Sequence, residues 1–249
     1  MSGDIGARTP GAGFGALQTF SFLRMVAPIG ASILDVGCGN GLLAKYLQDA
    51  GYKVVAIDTK QQAVDDSKAL GLNAVEADLL QYACDSKFDL VLLSRTLHHI
   101  QPLGTALDQA RELMRDDGLL VVEDFGAELA DRHTAAWLFG LRALLAARGP
   151  LKSRGPALED GEIPEDPLQS WNEHAFVKHQ ITPSETMIRE LTERFDILKL
   201  ERIAYLYRYF LDDVSMLEAV RIFEWEQLLC KERLFEPIGI RIVAKKRAR

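Results

Sequence analysis

Apolar residues along this chain fall into short unbroken runs separated by amphipathic stretches. Residues Ser32–Val36, Lys53–Ile57, Asn73–Glu76, Phe88–Leu93 and Leu119–Glu123 read as strands. Runs such as Val54-Val55-Ala56-Ile57 and Leu90-Val91-Leu92-Leu93 suit a sheet buried on both faces. Between them, 42–50, 61–70 and 103–114 read as helices, with Gly51, Gly71 and Gly118 just past their ends. Strands alternating with such helices predict an α/β fold with a doubly wound, mostly parallel sheet. Ahead of the first strand, Leu17, Phe20, Leu23 and Val26 recur at helical spacing within 16–27. The glycine-rich residues 1–15 are expected to lack fixed structure.

The rhythm changes after Glu123. Residues 127–148 read as a helix (Leu129, Trp137, Leu141, Leu144) stopped by Gly149-Pro150. Residues 149–169, with four prolines and three glycines among acidic side chains, read as a mobile loop or lid. Thr182-Pro183-Ser184-Glu185 carries the signature of a helix start, with a cap hydroxyl, proline at the first helical position and glutamate three residues on. A strand follows over Phe195–Ala204 and is expected to extend into Tyr205–Phe210. There Tyr205, Tyr207 and Tyr209 would share one face and Arg208 the other. Residues 213–232 form a helix that is apolar around much of its circumference, which predicts burial under the sheet edge or a homodimer contact. Ile238–Ala244 closes the chain as a strand.

Composition narrows the class. The chain has 249 residues, 48% hydrophobic, which suits a single domain over 16–249 with 126–180 inserted as a cap or lid. A net charge of −7 counts against nonspecific nucleic-acid binding. The basic Lys245, Lys246, Arg247 and Arg249 read as a solvated tail. Cys38, Cys84 and Cys230 are too scattered for a zinc spacing or a disulfide framework, which favours a reducing compartment. With no long apolar run and no signal-like start, the expectation is a cytoplasmic protein without a membrane partner.

The candidate chemistry is concentrated in Ile33-Leu34-Asp35-Val36-Gly37-Cys38-Gly39-Asn40-Gly41. A buried strand breaking into a glycine turn at a helix start is the general geometry of nucleotide binding in open α/β sheets. Asp35 changes the ligand. A carboxylate there would repel a pyrophosphate, but it suits a cationic ligand carrying an ammonium group. S-adenosylmethionine is such a ligand, whereas a nicotinamide dinucleotide is disfavoured by Asp35 and by the glycine spacing.

With these residues in view, the chain resembles the class I S-adenosylmethionine-dependent methyltransferases over roughly residues 30–125 and the two closing strands. The resemblance implies a Rossmann-like sheet of seven strands with a cap inserted after the fifth. It implies that Asp35, Gly37, Cys38 and Gly39 hold the methionine part of the cofactor. Asp58 with Thr59 would bind the ribose hydroxyls, and Asp78 with Leu79 would lie at the adenine. Phe88-Asp89-Leu90-Val91 opens the fourth strand as in the family, and Ser94 at that strand's end would also line the cofactor.

The acceptor side begins at Ser94-Arg95-Thr96-Leu97-His98-His99-Ile100. His98 and His99 resemble the Leu-His-His segment of bacterial small-molecule methyltransferases, including relatives in quinone biosynthesis. Either histidine would serve as general base or pack at the next helix, and adjacent histidines are expected to point apart. Glu123 and Asp124 stand at the ligand end of strand five. Trp171, His174, Tyr205 and Arg208 are further candidates to touch the acceptor. Neither Asn-Pro-Pro-Tyr nor a Pro-Cys pair is present, and no carboxylate follows strand four, so no metal is expected. The reading is methyl transfer to a small molecule at oxygen, with S-adenosylhomocysteine as product. The alternatives are N-methylation of a small molecule, RNA or protein, or a noncatalytic cofactor-binding subunit.

Overall fold

The computed structural model describes residues 11–153 and 155–247. The chain forms two compact units. One comprises residues 16–125, 182–202 and 240–247, and the other 11–15, 126–181 and 203–239.

The first unit contains the sheet. Its strands are β1 (Ser32–Val36), β2 (Lys53–Asp58), β3 (Asn73–Glu76), β4 (Phe88–Ser94), β5 (Met114–Phe125), β6 (Phe195–Ile203) and β7 (Gly239–Lys246). They lie in the order β3-β2-β1-β4-β5-β7-β6. The pairs β1–β2, β1–β4, β2–β3 and β4–β5 are parallel. The apolar runs divide by the two-residue period of a strand. Leu34, Val36, Val91, Leu93, Leu120 and Val122 enter one core, while Ile33, Leu90, Leu92 and Val121 enter the other. Helices α4 (Leu103–Leu113) and α7 (Ser184–Arg194) cover the first face. Helices α1 (Ala12–Val26), α2 (Leu42–Asp49) and α3 (Gln61–Ala69) cover the second. At the strands' start, Asp89 accepts hydrogen bonds from the Ser32 N–H and hydroxyl, both 2.7 Å, and fixes the β1–β4 register.

The strand order reverses between β1 and β4. In an open α/β sheet the crevice beyond the carboxyl ends at such a point is where ligands bind. It therefore matters that Asp35 and Ser94 stand there.

The second unit is built on α5 (Arg132–Ala146), α6 (Pro167–Asn172) continuing as a π-helical turn over Glu173–Lys178, and α8 (Met216–Lys231). Ser215 and Glu218 close a reciprocal capping box at the start of α8.

Several expectations need correction. Residues 1–10 lie outside the described residues, but helix α1 already begins at Ala12. Phe14 anchors this end, with its ring edge-on to Tyr207 at 5.7 Å and to Phe223 at 5.5 Å. The expected strand extension at 205–210 is a 3-10 helix, Leu206–Phe210. The buried Glu226 carboxylate accepts the N–H groups of Tyr205, Leu206 and Tyr207 at 2.7–2.8 Å, which withdraws those donors from sheet pairing. Arg208 therefore does not stand opposite the tyrosines; its guanidinium lies 5.7 Å and 5.1 Å from the Tyr205 and Tyr207 ring centres. The expected capping box at Thr182 does not form. The helix starts at Ser184 without a side-chain cap, and the Thr182 hydroxyl accepts from Gln101 Nε2 at 2.8 Å. Lys245 and Lys246 belong to β7 rather than to a solvated tail. Lys246 donates to the Met114 carbonyl at 2.7 Å, and Arg247 donates to the Thr192 carbonyl at 2.6 Å. Arg249 lies outside the described residues.

Candidate functional site

The turn after β1 is tied to the end of β2. The N–H groups of Gly37 and Cys38 both donate to the Ile57 carbonyl, at 2.8 and 3.1 Å. Gly37 has φ +71°, and a Cβ there would overlap the Thr96 hydroxyl, so only glycine fits. Gly39, at φ +55°, has open space where a Cβ would stand, and its N–H donates to Asp58 Oδ2 at 2.9 Å. The other Asp58 oxygen accepts from Lys60 N–H at 2.9 Å, so the carboxylate is oriented by backbone from both sides. Thr59 is exposed. Burial pushes the Cys38 thiol up to about 11, leaving a neutral small side chain at neutral pH.

Asp35 is 2% exposed, and its Oδ2 has no hydrogen-bond partner. Burial pushes its carboxyl up to about 7; the Arg95 guanidinium opposes that rise and Asp58 adds to it. At the end of β4 the buried Ser94 hydroxyl is likewise without a partner. Arg95 follows with φ +58°, a left-handed conformation unusual for a residue with a side chain. Its N–H is anchored on the Glu123 carbonyl at 2.7 Å.

The Leu97–His99 turn brings the two histidine rings together, with centroids 4.0 Å apart, rather than apart. His98 is buried and His99 exposed. His98 Nδ1 lies 2.5 Å from Asp124 Oδ1, and the His98 N–H donates to Asp124 Oδ2 at 3.2 Å. Asp124 Oδ1 also accepts from the Phe125 N–H at 2.9 Å. Thr182 N–H holds the His98 carbonyl at 3.0 Å. A carboxylate accepting at Nδ1 puts the proton of a neutral imidazole on that nitrogen and leaves Nε2 as acceptor.

Glu123 has a different set of partners. Its oxygens accept from the Thr19 hydroxyl and from Arg241 Nε, each at 2.6 Å, in a largely buried network joining α1, β5 and β7. Asp78 Oδ1 accepts from the Leu80 N–H at 3.0 Å, while the Leu79 side chain is buried in the core.

The remaining candidates belong to the second unit. Trp171 is buried there, its indole N–H donating to the Ala127 carbonyl at 2.9 Å. Burial, with His179, Lys178 and Arg142 nearby, pulls His174 down to about 4, so this imidazole is neutral at physiological pH. Tyr205 is buried beside Tyr209, ring centroids 6.3 Å apart. Arg95 carries no signal of a site role in the sequence pattern. Its position after strand four was legible, but its left-handed backbone was not.

A methyltransferase-domain profile matches residues 16–194. The chain belongs to that family. It is similar to the ubiquinone biosynthesis O-methyltransferase of Bradyrhizobium diazoefficiens, 30% identical over 102 residues, which is 37% of this chain and 39% of that protein. It is also similar to the malonyl-[acyl-carrier protein] O-methyltransferase of Pseudescherichia vulneris, 30% identical over 129 residues, 49% of this chain and 51% of the other. The chain thus spans about half the length, or less, of these curated relatives. Among solved structures it resembles the N-methyltransferase NodS from Bradyrhizobium japonicum WM9 in complex with S-adenosyl-l-homocysteine. The TM-score is 0.55 over 96% of this chain and 89% of that one, at 14% identity, a likeness of fold. The family and fold are those expected from the Asp35–Gly41 stretch. No helix among the described residues is long and apolar enough to cross a membrane.

Proposed function

We propose that the protein transfers a methyl group from S-adenosylmethionine to a small-molecule acceptor at an oxygen atom. The residues at the β1–β4 reversal fit this donor. A buried carboxylate with an unpartnered oxygen suits the ammonium of its amino-acid end, and the backbone-oriented Asp58 retains lone pairs for ribose hydroxyls. Asp78 with Leu79 would lie at the adenine, and Ser94 brings a second unfilled polar atom to the same edge. The donor, when bound, supplies an electrophilic methyl carbon on a sulfonium.

The observation that carries the oxygen reading is the His98–Asp124 pair. An acceptor hydroxyl must give up its proton when its oxygen is methylated. His98 Nε2 would take that proton. Asp124 holds the ring in the accepting tautomer and stabilises the imidazolium that forms. Both matched curated relatives described above are named as O-methyltransferases, which supports the same reading. Trp171 is committed to the Ala127 carbonyl, and Glu123 is held by Thr19 and Arg241. The acceptor side therefore rests on His98, with His99 beside it. On α8, exposed Leu217, Trp225 and Leu228 support self-association through that helix, which sedimentation of a Leu228→Glu variant tests.

The test is calorimetric titration with S-adenosylhomocysteine, followed by methyl-transfer assays on a panel of phenols, alcohols and amines. Absence of cofactor-product binding overturns the donor. Turnover on amines alone overturns the oxygen reading.

A further inference from the structure

Asp35 and Arg95 carry opposite charges at the β1–β4 reversal and do not pair with each other. Each feels the other, since the Arg95 guanidinium opposes the rise that burial imposes on Asp35. Yet among the described residues neither side chain has a hydrogen-bond or ion-pair partner. Asp35 is 2% exposed, and Arg95 is exposed. A buried carboxylate left unpartnered is costly, and it persists where a ligand completes it.

The backbone brings the two residues to the same edge of the sheet. Asp35 is in register with Leu92 on β4, and Arg95 directly follows Ser94, the last residue of β4, so both stand at the carboxyl end of the β1–β4 pair. Thr96, next to Arg95, packs directly onto Gly37, two residues after Asp35. Arg95 itself is left-handed, with its N–H anchored on the Glu123 carbonyl. Glycine or asparagine is the ordinary occupant of such a position, and strained backbone of this kind is concentrated at ligand sites.

We propose that Asp35 and Arg95 form a split ion pair closed by an α-amino-acid group, with the ligand's ammonium on Asp35 and its carboxylate on Arg95. On the functional reading above, on which this inference rests, that group is the methionine end of the cofactor. Arg95 is then a cofactor-binding residue. Its planar guanidinium provides a paired donor set for a carboxylate, which a lysine in its place would not reproduce.

Three ligands separate the parts of the claim: S-adenosylhomocysteine, its decarboxylated analogue, which keeps the ammonium, and 5′-methylthioadenosine, which has neither charge. Calorimetry would be run on the full chain and on Arg95→Gln and Arg95→Gly. The glycine variant relieves the left-handed backbone and so retains the fold. The expected result is weaker binding of S-adenosylhomocysteine by about 10- to 100-fold in both variants, the range for losing a charge-assisted hydrogen bond. Binding of methylthioadenosine and of the decarboxylated analogue should match wild type. Unchanged affinity for S-adenosylhomocysteine in both variants overturns the proposal, even if turnover falls, because Arg95 would then serve the acceptor. A parallel loss of methylthioadenosine affinity also overturns it, because Arg95 would then only shape the turn. If the wild-type chain binds none of the three ligands, the cofactor reading itself fails, and that outcome is distinct from the other two.

Discussion

His98 and Asp124, 26 positions apart in sequence, meet twice: ring Nδ1 to carboxylate at 2.5 Å, and backbone N–H to the same carboxylate at 3.2 Å. The double contact fixes both the position of the turn and the orientation of the ring. An imidazole held this way has one nitrogen committed to a carboxylate and one available for a proton.

If Nε2 takes the acceptor's proton, His98→Gln should lower kcat by about 10²- to 10⁴-fold, the usual range for a general base. Asp124→Asn should give a loss of similar order by favouring the wrong tautomer. In both variants the affinity for S-adenosylhomocysteine should match wild type. A fall in that affinity parallel to kcat would show a disturbed cofactor site in place of a lost base.

Cofactor binding should depend on pH through Asp35. Its carboxyl is pushed up to about 7, so it becomes protonated below that pH and no longer attracts an ammonium. Affinity for S-adenosylhomocysteine should therefore fall by up to about tenfold per pH unit as pH drops below 7. Methylthioadenosine should show no such slope, and Asp35→Asn should bind weakly at every pH. Titrations between pH 5.5 and 8.5 check all three.

The ligand-free protein should show the opposite trend in stability. Asp35 is raised from 3.8 and Glu226 from 4.5, each to about 7, both chiefly by burial. Groups with raised folded-state values contribute stability that is present at low pH and lost as pH rises through the folded value. From these two groups, the thermal midpoint should decline between about pH 4 and pH 7 and level off above that. Asp35→Asn should flatten part of that decline.

Glu226 should matter for stability rather than chemistry. Replacing it by alanine leaves the three buried N–H groups of Tyr205, Leu206 and Tyr207 without their acceptor. The expected loss is about 1–3 kcal/mol or more by urea unfolding. Glu226→Gln, with one acceptor oxygen, should fall between alanine and wild type.

Glu123 should behave as the centre of a buried ion pair. Glu123→Ala strands Arg241 in a largely buried site, for which a loss of about 3–5 kcal/mol is expected. In Glu123→Gln, KM for the acceptor should stay near wild type. A large rise in KM without loss of stability would instead place Glu123 at the acceptor.

The sequence by itself determined the strands, their mostly parallel α/β class and the residues at the end of β1. Those features are local: a strand buried on both faces must be apolar along its length, and a turn with positive φ needs glycine. Hence Asp35 and Gly37 are legible in the sequence as a ligand turn, with Asp58 at the end of the next strand. Local pattern could not assign partners. Glu123 and Asp124 are adjacent and chemically alike, yet one is held by Thr19 and Arg241 and the other by His98. The alternating tyrosines read as a strand, but Glu226, about 20 residues downstream, accepts the N–H groups of 205–207, and residues 206–210 form a 3-10 helix instead. Arg95's left-handed backbone occurs where its N–H meets the Glu123 carbonyl, a contact that only the pairing of β4 with β5 provides. Periodicity and turn chemistry act over a few residues, whereas the partners of a buried charge are chosen when distant segments close around it.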